Sequence, residues 1–333
     1  MGKRRFLRLF LLLLALVIGE EGFAQKRPEG KTSIQKKTSK KKEKETIFWL
    51  DGGDNWPILS EEKDREVVEG QKQKMELIRQ TFSRNSLVLY ESEHFLYLTD
   101  APPRIAKECV EYLERMHVRL REIFGLPETC RVWYGKGMVV AFLQQSHFQQ
   151  FEAHFFQTQN TFSEALGLAH LMGDGNVLIS LYYGDISQVR LRWRFIATLV
   201  HEMTHGFVHR YQSPKSLPLW LDEGMADYIA GQIVPACPEV KNKQREALSV
   251  MRRSYSVGGM MGATTRLEPW QYGVASGLVD FLLRKDARAF PVFLQKIKAG
   301  LPWPQALVET YRGTPEQLLR AFGQENRLPR LDF

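Results

Sequence analysis

Between Ser86 and Asp100 the chain alternates, with Leu87 and Leu89 followed by Phe95 and Tyr97 across a polar stretch at Glu91 to His94. A period of two predicts a pair of strands joined as a hairpin. The period then changes. From 102 to 127, Ile105, Cys109, Tyr112, Leu113, Met116 and Leu120 recur at helical spacing, and Gly125 is placed to stop the helix. The run "MVVAFL" at 138–143 predicts a short strand, and "HFQQFEAHF" the start of another helix. "NVLISLYY" at 176–183 predicts a strand after the turn Gly173-Asp-Gly175. From about Arg190 onward the pattern is helical. "WQYGVASGLVDFLL" (270–283), "RAFPVFLQKIKAG" and "TPEQLLRAFG" read as helices, the last with Thr314 as N-cap and Pro315 in its first turn. Strands mixed with helices and then helices alone predict an α+β fold, with a sheet-and-helix lobe over 47–195 and a helical lobe over 196–333. No internal repeat is visible.

Composition adds a start that differs from the body. The 333 residues, 44% of them hydrophobic, are enough for a sizeable core. Residues 1–24 read as a secretory leader: basic Lys3, Arg4, Arg5 and Arg8, an apolar run from Leu9 to Ile18, then Gly22-Phe-Ala24 as a cleavage site. The apolar run is short for a membrane span, and an uncleaved anchor is the alternative. Residues 25–46 are rich in lysine with Ile34 as the one large apolar side chain, which predicts a disordered linker. These two segments carry the whole formal charge of +8, so the body from Ile47 is neutral. A nucleic-acid partner is therefore not expected, since its binder would carry the basic excess on the folded domain. Outside the cytoplasm the linker could touch an anionic envelope surface, and a plain soluble spacer is the preferred reading. Cys109, Cys130 and Cys237 show no Cys-x-x-Cys spacing. Export would permit a Cys109–Cys130 disulfide, but a chain of this size does not need one.

The chemistry concentrates at "LVHEMTHGF", 199–207. At about 100° per residue, Ile196, Leu199, Val200, Met203 and Phe207 share one stripe of a helix, and His201 and His205 lie nearly opposite. The stripe is expected in the core and the two imidazoles toward a cleft, one helical turn apart, where both can reach one Zn²⁺. Glu202 projects from the margin of that face, within reach of a water on the metal. A catalytic zinc needs a third protein ligand. Downstream, in "LPLWLDEGMADYIAG" (217–231), Glu223 follows His205 after a turn marked by Pro214 and Pro218. Asp227 shares its face and can accept the second N–H of a ligand histidine, fixing the tautomer.

His201-Glu-Met-Thr-His205 with Trp220-Leu-Asp-Glu223-Gly-Met-Ala-Asp227-Tyr resembles the gluzincin zinc metallopeptidases, the thermolysin and aminopeptidase type. The longer order, the "YESEHFLYLTD" hairpin, a helix ending "FGLP", a strand and the two motifs, is similar to the peptidase-MA-like secreted bacterial proteins of undefined substrate. The resemblance spans roughly residues 86–300, with its strongest motifs in 201–228. It implies His201, His205 and Glu223 as zinc ligands and Glu202 as general base and acid. It also implies a thermolysin-like zincin architecture with the zinc helix at the lobe junction.

The departures matter too. The Gly-x-Met-Glu-Asn element by which the aminopeptidase branch grips a free N-terminus is missing, which favours an endopeptidase acting on a peptide or protein. The metzincin pattern would require a third histidine at 211, which is Tyr211, so His209 is read as a solvated or hydrogen-bonded helix-end residue rather than a ligand. His94, His117, His147, His154 and His170 lack ligand spacing and are expected in ordinary surface or core roles. Gly224 is expected to permit close packing beside Glu223. Tyr272 is either an oxyanion donor or a core tyrosine. By the same resemblance the extended substrate would pair with 176–181 as an edge strand; a fully paired interior strand is the alternative. The expectation is an exported zinc metallopeptidase, and the alternative is a non-catalytic envelope-binding or scaffold module on the same fold.

Overall fold

The structure, a computed structural model, describes residues 54–157, 166–328 and 330–333. The expected leader and linker, 1–46, lie outside the described residues. The fold is α+β. Among the described residues are five strands: β1 (Val88–Glu91), β2 (Phe95–Thr99), β3 (Gly137–Phe142), β4 (Gly167–Leu171) and β5 (Val177–Tyr182). They form one mixed sheet in the order β1-β2-β3-β5-β4. The β1–β2 and β4–β5 pairs are antiparallel, and β2–β3 and β3–β5 are parallel.

Both faces of the sheet are covered. On one face Leu96, Leu98, Met138, Val140, Phe142 and Leu178 pack with Met75 and Ile78 of α1 (Glu61–Thr81) and Phe148 and Phe151 of α3 (Gln145–Phe155). On the other, Phe95, Tyr97, Val139, Ala141, Val177, Ile179 and Leu181 meet α2 (Pro103–Ile123) and α4 (Val189–Arg210). Burial on two sides accounts for the unbroken apolar run of β3, and it makes β2 a fully buried strand rather than the half-buried hairpin arm that alternation suggests.

The expectation that 176–181 forms a free edge is corrected here. Strand β5 is hydrogen-bonded to β3 on one side and β4 on the other. The Gly173–Gly175 turn closes a hairpin, with the Met172 N–H donating to the Asn176 carbonyl at 3.0 Å, and the edge strand is β4. The cysteines are free: Cys109 is buried with its Sγ 3.7 Å from the Tyr183 hydroxyl, and it is not bridged to Cys130.

The remaining helices are α5 (Leu219–Ile233), α6 (Glu239–Ser254), α7 (Pro269–Lys285), α8 (Ala289–Lys298), α9 (Trp303–Tyr311) and α10 (Pro315–Glu325). Thr314 caps α10 as expected, accepting from the Gln317 N–H in a capping box. One continuous apolar cluster runs from the sheet through α4 and α5 to α10, and the position 195/196 falls inside α4. The C-terminal end of α4 is tied down from two directions. Trp56 Nε1 donates to the His209 carbonyl at 2.9 Å. Lys298, 1% exposed, donates from Nζ to the carbonyls of Val208 and Lys215 at 2.9 and 2.6 Å. No helix among the described residues is long and apolar enough to cross a membrane.

Helices α5 and α7 touch through their backbones at Gly224, where a Cβ would lie 2.7 Å from the Ala275 carbonyl oxygen. Gly224→Ala should therefore lower stability by about 1–3 kcal/mol, the usual cost of forcing atoms into a packed interior. Gly70→Ala, at an exposed position of α1 with open space beside it, should be neutral or stabilising. Thermal melting of the two variants checks the contrast; equal melting points would contradict it.

Candidate metal centre

Helix α4 supplies His201, Glu202 and His205, and α5 supplies Asp222, Glu223 and Asp227. The apolar stripe behaves as expected, with Ile196, Leu199, Val200, Met203 and Phe207 all fully buried. The opposite face is less open than expected, because α5 covers it. His205 is 4% exposed and Glu223 2% exposed, while His201 and Glu202 are half-buried.

Three ligand atoms converge. His201 Nε2 lies 3.2 Å from His205 Nε2, and Glu223 Oε2 lies 3.3 Å from the first and 3.7 Å from the second. Three donors each about 2.0–2.1 Å from a tetrahedral ion would sit roughly 3.3 Å apart. His201, His205 and Glu223 can therefore hold a metal ion. Glu223 Oε2 is buried and has no hydrogen-bond partner, an expensive state for a carboxylate unless a cation answers it.

Each imidazole is anchored from behind. His201 Nδ1 meets Asp227 Oδ1 at 3.0 Å, and His205 Nδ1 meets Asp222 Oδ2 at 3.0 Å. A carboxylate on Nδ1 holds the proton there and leaves the Nε2 lone pair for a metal. The first contact is the one expected from the sequence. The second was missed, although Asp222 stands beside Glu223 in the motif. Lys243 of α6 was missed as well; it donates to both Asp227 oxygens, at 2.9 and 2.8 Å. Burial works against the Asp227 anion, but Lys243 and His201 outweigh it and bring its pKa to about 2.

Glu202 lies beside the first residue of β4, since a Cβ on Gly167 would be 3.5 Å from its Cγ. Burial raises the carboxyl pKa of Glu202, against the pull of His201 and His205. A carboxyl held up in this way is suited to accept and return a proton. Tyr272 of α7 is half-buried, and burial together with the charges of Glu223, Asp227 and Glu202 keeps its phenol protonated. It therefore belongs to the electrostatic neighbourhood of the centre.

The other histidines stand apart from the cluster. His209 Nε2 is 3.4 Å from the Met172 carbonyl oxygen, and its ring packs edge-on to Trp56. His170 is engaged by Glu152 at 2.9 Å and stacks on Phe156. His94 contacts Glu114 at 2.7 Å, and His117 accepts from Trp133 Nε1 at 3.1 Å. Compared with models of known protein families the chain matches none, and it matches no curated protein sequence.

The two classes of histidine should titrate far apart. Burial disfavours the imidazolium at His201 and His205, but Asp227 and Glu223 at the first, and Asp222 and Glu223 at the second, outweigh it and raise the pKa of the pair above the ordinary imidazole range. At His117 and His209 burial dominates and lowers the pKa values to about 3 and about 4. In protein kept metal-free by a chelator, NMR titration should find that the proton shared by the close His201–His205 pair is lost above the ordinary imidazole range, while His117 and His209 are neutral at pH 5. Loss of the shared proton below pH 6.5 would contradict the anchoring by Asp227 and Asp222. The pair must lose this proton before both imidazoles can coordinate, so metal uptake near neutral pH should release protons and weaken as pH falls.

Proposed function

We propose that this chain is an exported zinc peptidase of gluzincin type, acting as an endopeptidase, with Zn²⁺ held by His201, His205 and Glu223. The observation that carries the reading is the buried triangle of ligand atoms with Glu202 at its margin. Two imidazoles and one carboxylate suit Zn²⁺ and leave a position open for chemistry. When bound, the ion supplies Lewis acidity, which polarises an amide carbonyl and acidifies water. Glu202 takes the proton from the attacking water and returns it to the leaving amine. Asp227 and Asp222 hold the two imidazoles in the tautomer that coordination needs. Tyr272 donates its O–H to the oxyanion of the tetrahedral intermediate.

The substrate strand in this reading is β4 rather than 176–181. Among the described residues β4 is the sheet edge on this side, and its outer N–H and C=O groups suit an extended peptide. Its first residue, Gly167, lies beside Glu202, which brings such a peptide to the reacting groups. A thermolysin-like architecture is supported by the packing of α4 on the sheet and by the third ligand arriving from α5. The leader-like start supports export.

Metal analysis of the purified chain, paired with digestion of a peptide library, tests the proposal. About one Zn²⁺ per chain and cleavage within peptides are expected. His205→Ala should lose both metal and activity. Glu202→Gln should keep the metal and lose at least about 10²-fold in kcat, because an amide cannot accept the proton. Full turnover by metal-loaded E202Q would remove Glu202 from the mechanism, and a zinc-loaded wild type that cleaves nothing would favour the binding-module alternative. Tyr272→Phe should lower kcat by roughly 10²-fold with little change in melting temperature; a fully active variant would return Tyr272 to a packing role.

A further inference from the structure

Asp227 is pinned from two sides. Its Oδ1 receives both His201 Nδ1 at 3.0 Å and Lys243 Nζ at 2.9 Å, and its Oδ2 receives the same ammonium at 2.8 Å. Lys243 thus spends two of its three N–H groups on a single carboxylate that is 2% exposed. Helix α6, which carries it, is otherwise largely solvated and buries only Val240, Ala247 and Met251. The seat of Lys243 is nevertheless built into the packing. At Gly273 of α7 a Cβ would lie 2.1 Å from the Lys243 carbonyl oxygen, so the two helices meet through backbone at the residue that sends the lysine inward. The ammonium also lies 5.0 Å from the centroid of the Tyr272 ring, a cation–π distance.

A carboxylate bonded only to an imidazole can rotate about its last torsion, carrying the imidazole with it. Bonded through both oxygens to an ammonium from another helix as well, it is held against that rotation. From this geometry we infer that Lys243 is a positioning residue of the metal centre: by locking the Asp227 carboxylate it fixes the tautomer and ring direction of His201, and so sets metal affinity. The inference rests on the zinc reading of the same centre. A competing effect has the opposite sign, because direct repulsion between the ammonium and a divalent cation would make removal of the lysine tighten binding. Positioning and repulsion therefore predict opposite changes.

The test measures the Zn²⁺ Kd of the full chain by competition with a chromophoric chelator, for wild type, K243M, K243R, D227N and the K243M/D227N double variant, with melting of each metal-free protein. K243M should bind Zn²⁺ about tenfold more weakly while its melting temperature stays close to wild type. K243R keeps the charge and a two-pronged donor and should fall within about threefold of wild type. Because Lys243 acts through Asp227, the double variant should be no weaker than D227N alone. Unchanged or tighter binding by K243M overturns the inference, as do losses that multiply in the double variant. If K243M does not fold, K243Q takes its place, and failure of both to fold overturns the inference in favour of a purely structural ion pair. A wild type that binds no Zn²⁺ overturns the metal reading itself, whereas a zinc-binding wild type matched by K243M overturns only the role of Lys243.

Discussion

Two imidazole nitrogens held 3.2 Å apart, with a buried carboxylate oxygen closing the triangle beside them, are the constraint on which the surrounding structure depends. Left to themselves, the two rings would turn outward to water or protonate and separate. They stay because each is held at the far nitrogen, by Asp227 and by Asp222, and because the helix that carries them is packed on its other side against the sheet. All three carboxylates come from one and a half turns of α5. The position of α5 against α4 is thus the quantity the fold must fix. The backbone contact of Gly224 with α7 and the ammonium of Lys243 on α6 both act on that position from the outer side.

The sheet contributes in a different way. Its interior strands are buried on both faces, so α4 rests on a surface that cannot yield without disturbing two layers of core. The sheet ends beside the centre at β4, where Gly167 is buried, the next three residues are partly buried and Leu171 is exposed. The rigid part of the sheet therefore supports α4, while the edge beside Glu202 is its thinnest part.

Much of this was legible in the sequence. Helix α2 and the stripe of α4 carry a helical period, the β1–β2 hairpin was announced by alternation across a polar turn, and β3 by a short apolar run, and the structure places each there. The convergence of His201, His205 and Glu223 was legible because their spacing follows from helix geometry and from the reach of a returning helix. What was not legible failed for identifiable reasons. Helix α1 buries only Gln71, Met75 and Ile78, too sparse a stripe to stand out from its charged residues. Strand β4 reads "GLAHL", with a glycine and a histidine where an apolar run would announce a strand, and its loss made β5 look like the edge. Asp222 was overlooked because its neighbour Glu223 already had a role, although side chains adjacent on a helix can serve two different groups. Lys243 left no local signal, since α6 is a charged surface helix in sequence and the contact spans 16 residues.

The buried Lys298 bears on how small such a centre can be made. Every residue of the His201–His205–Glu223 cluster and its anchors lies between His201 and Lys243, a stretch that invites transplantation as a module. Yet the last turn of α4 hands its Val208 carbonyl to an ammonium arriving from α8, about ninety residues further on, and the loop leading into α5 gives up the Lys215 carbonyl to the same group. Those carbonyls face a buried site, where water is not at hand to replace the donor. The centre is local in its chemistry and distributed in its support, so a graft of the motif would carry its ligands without the scaffold that aligns them.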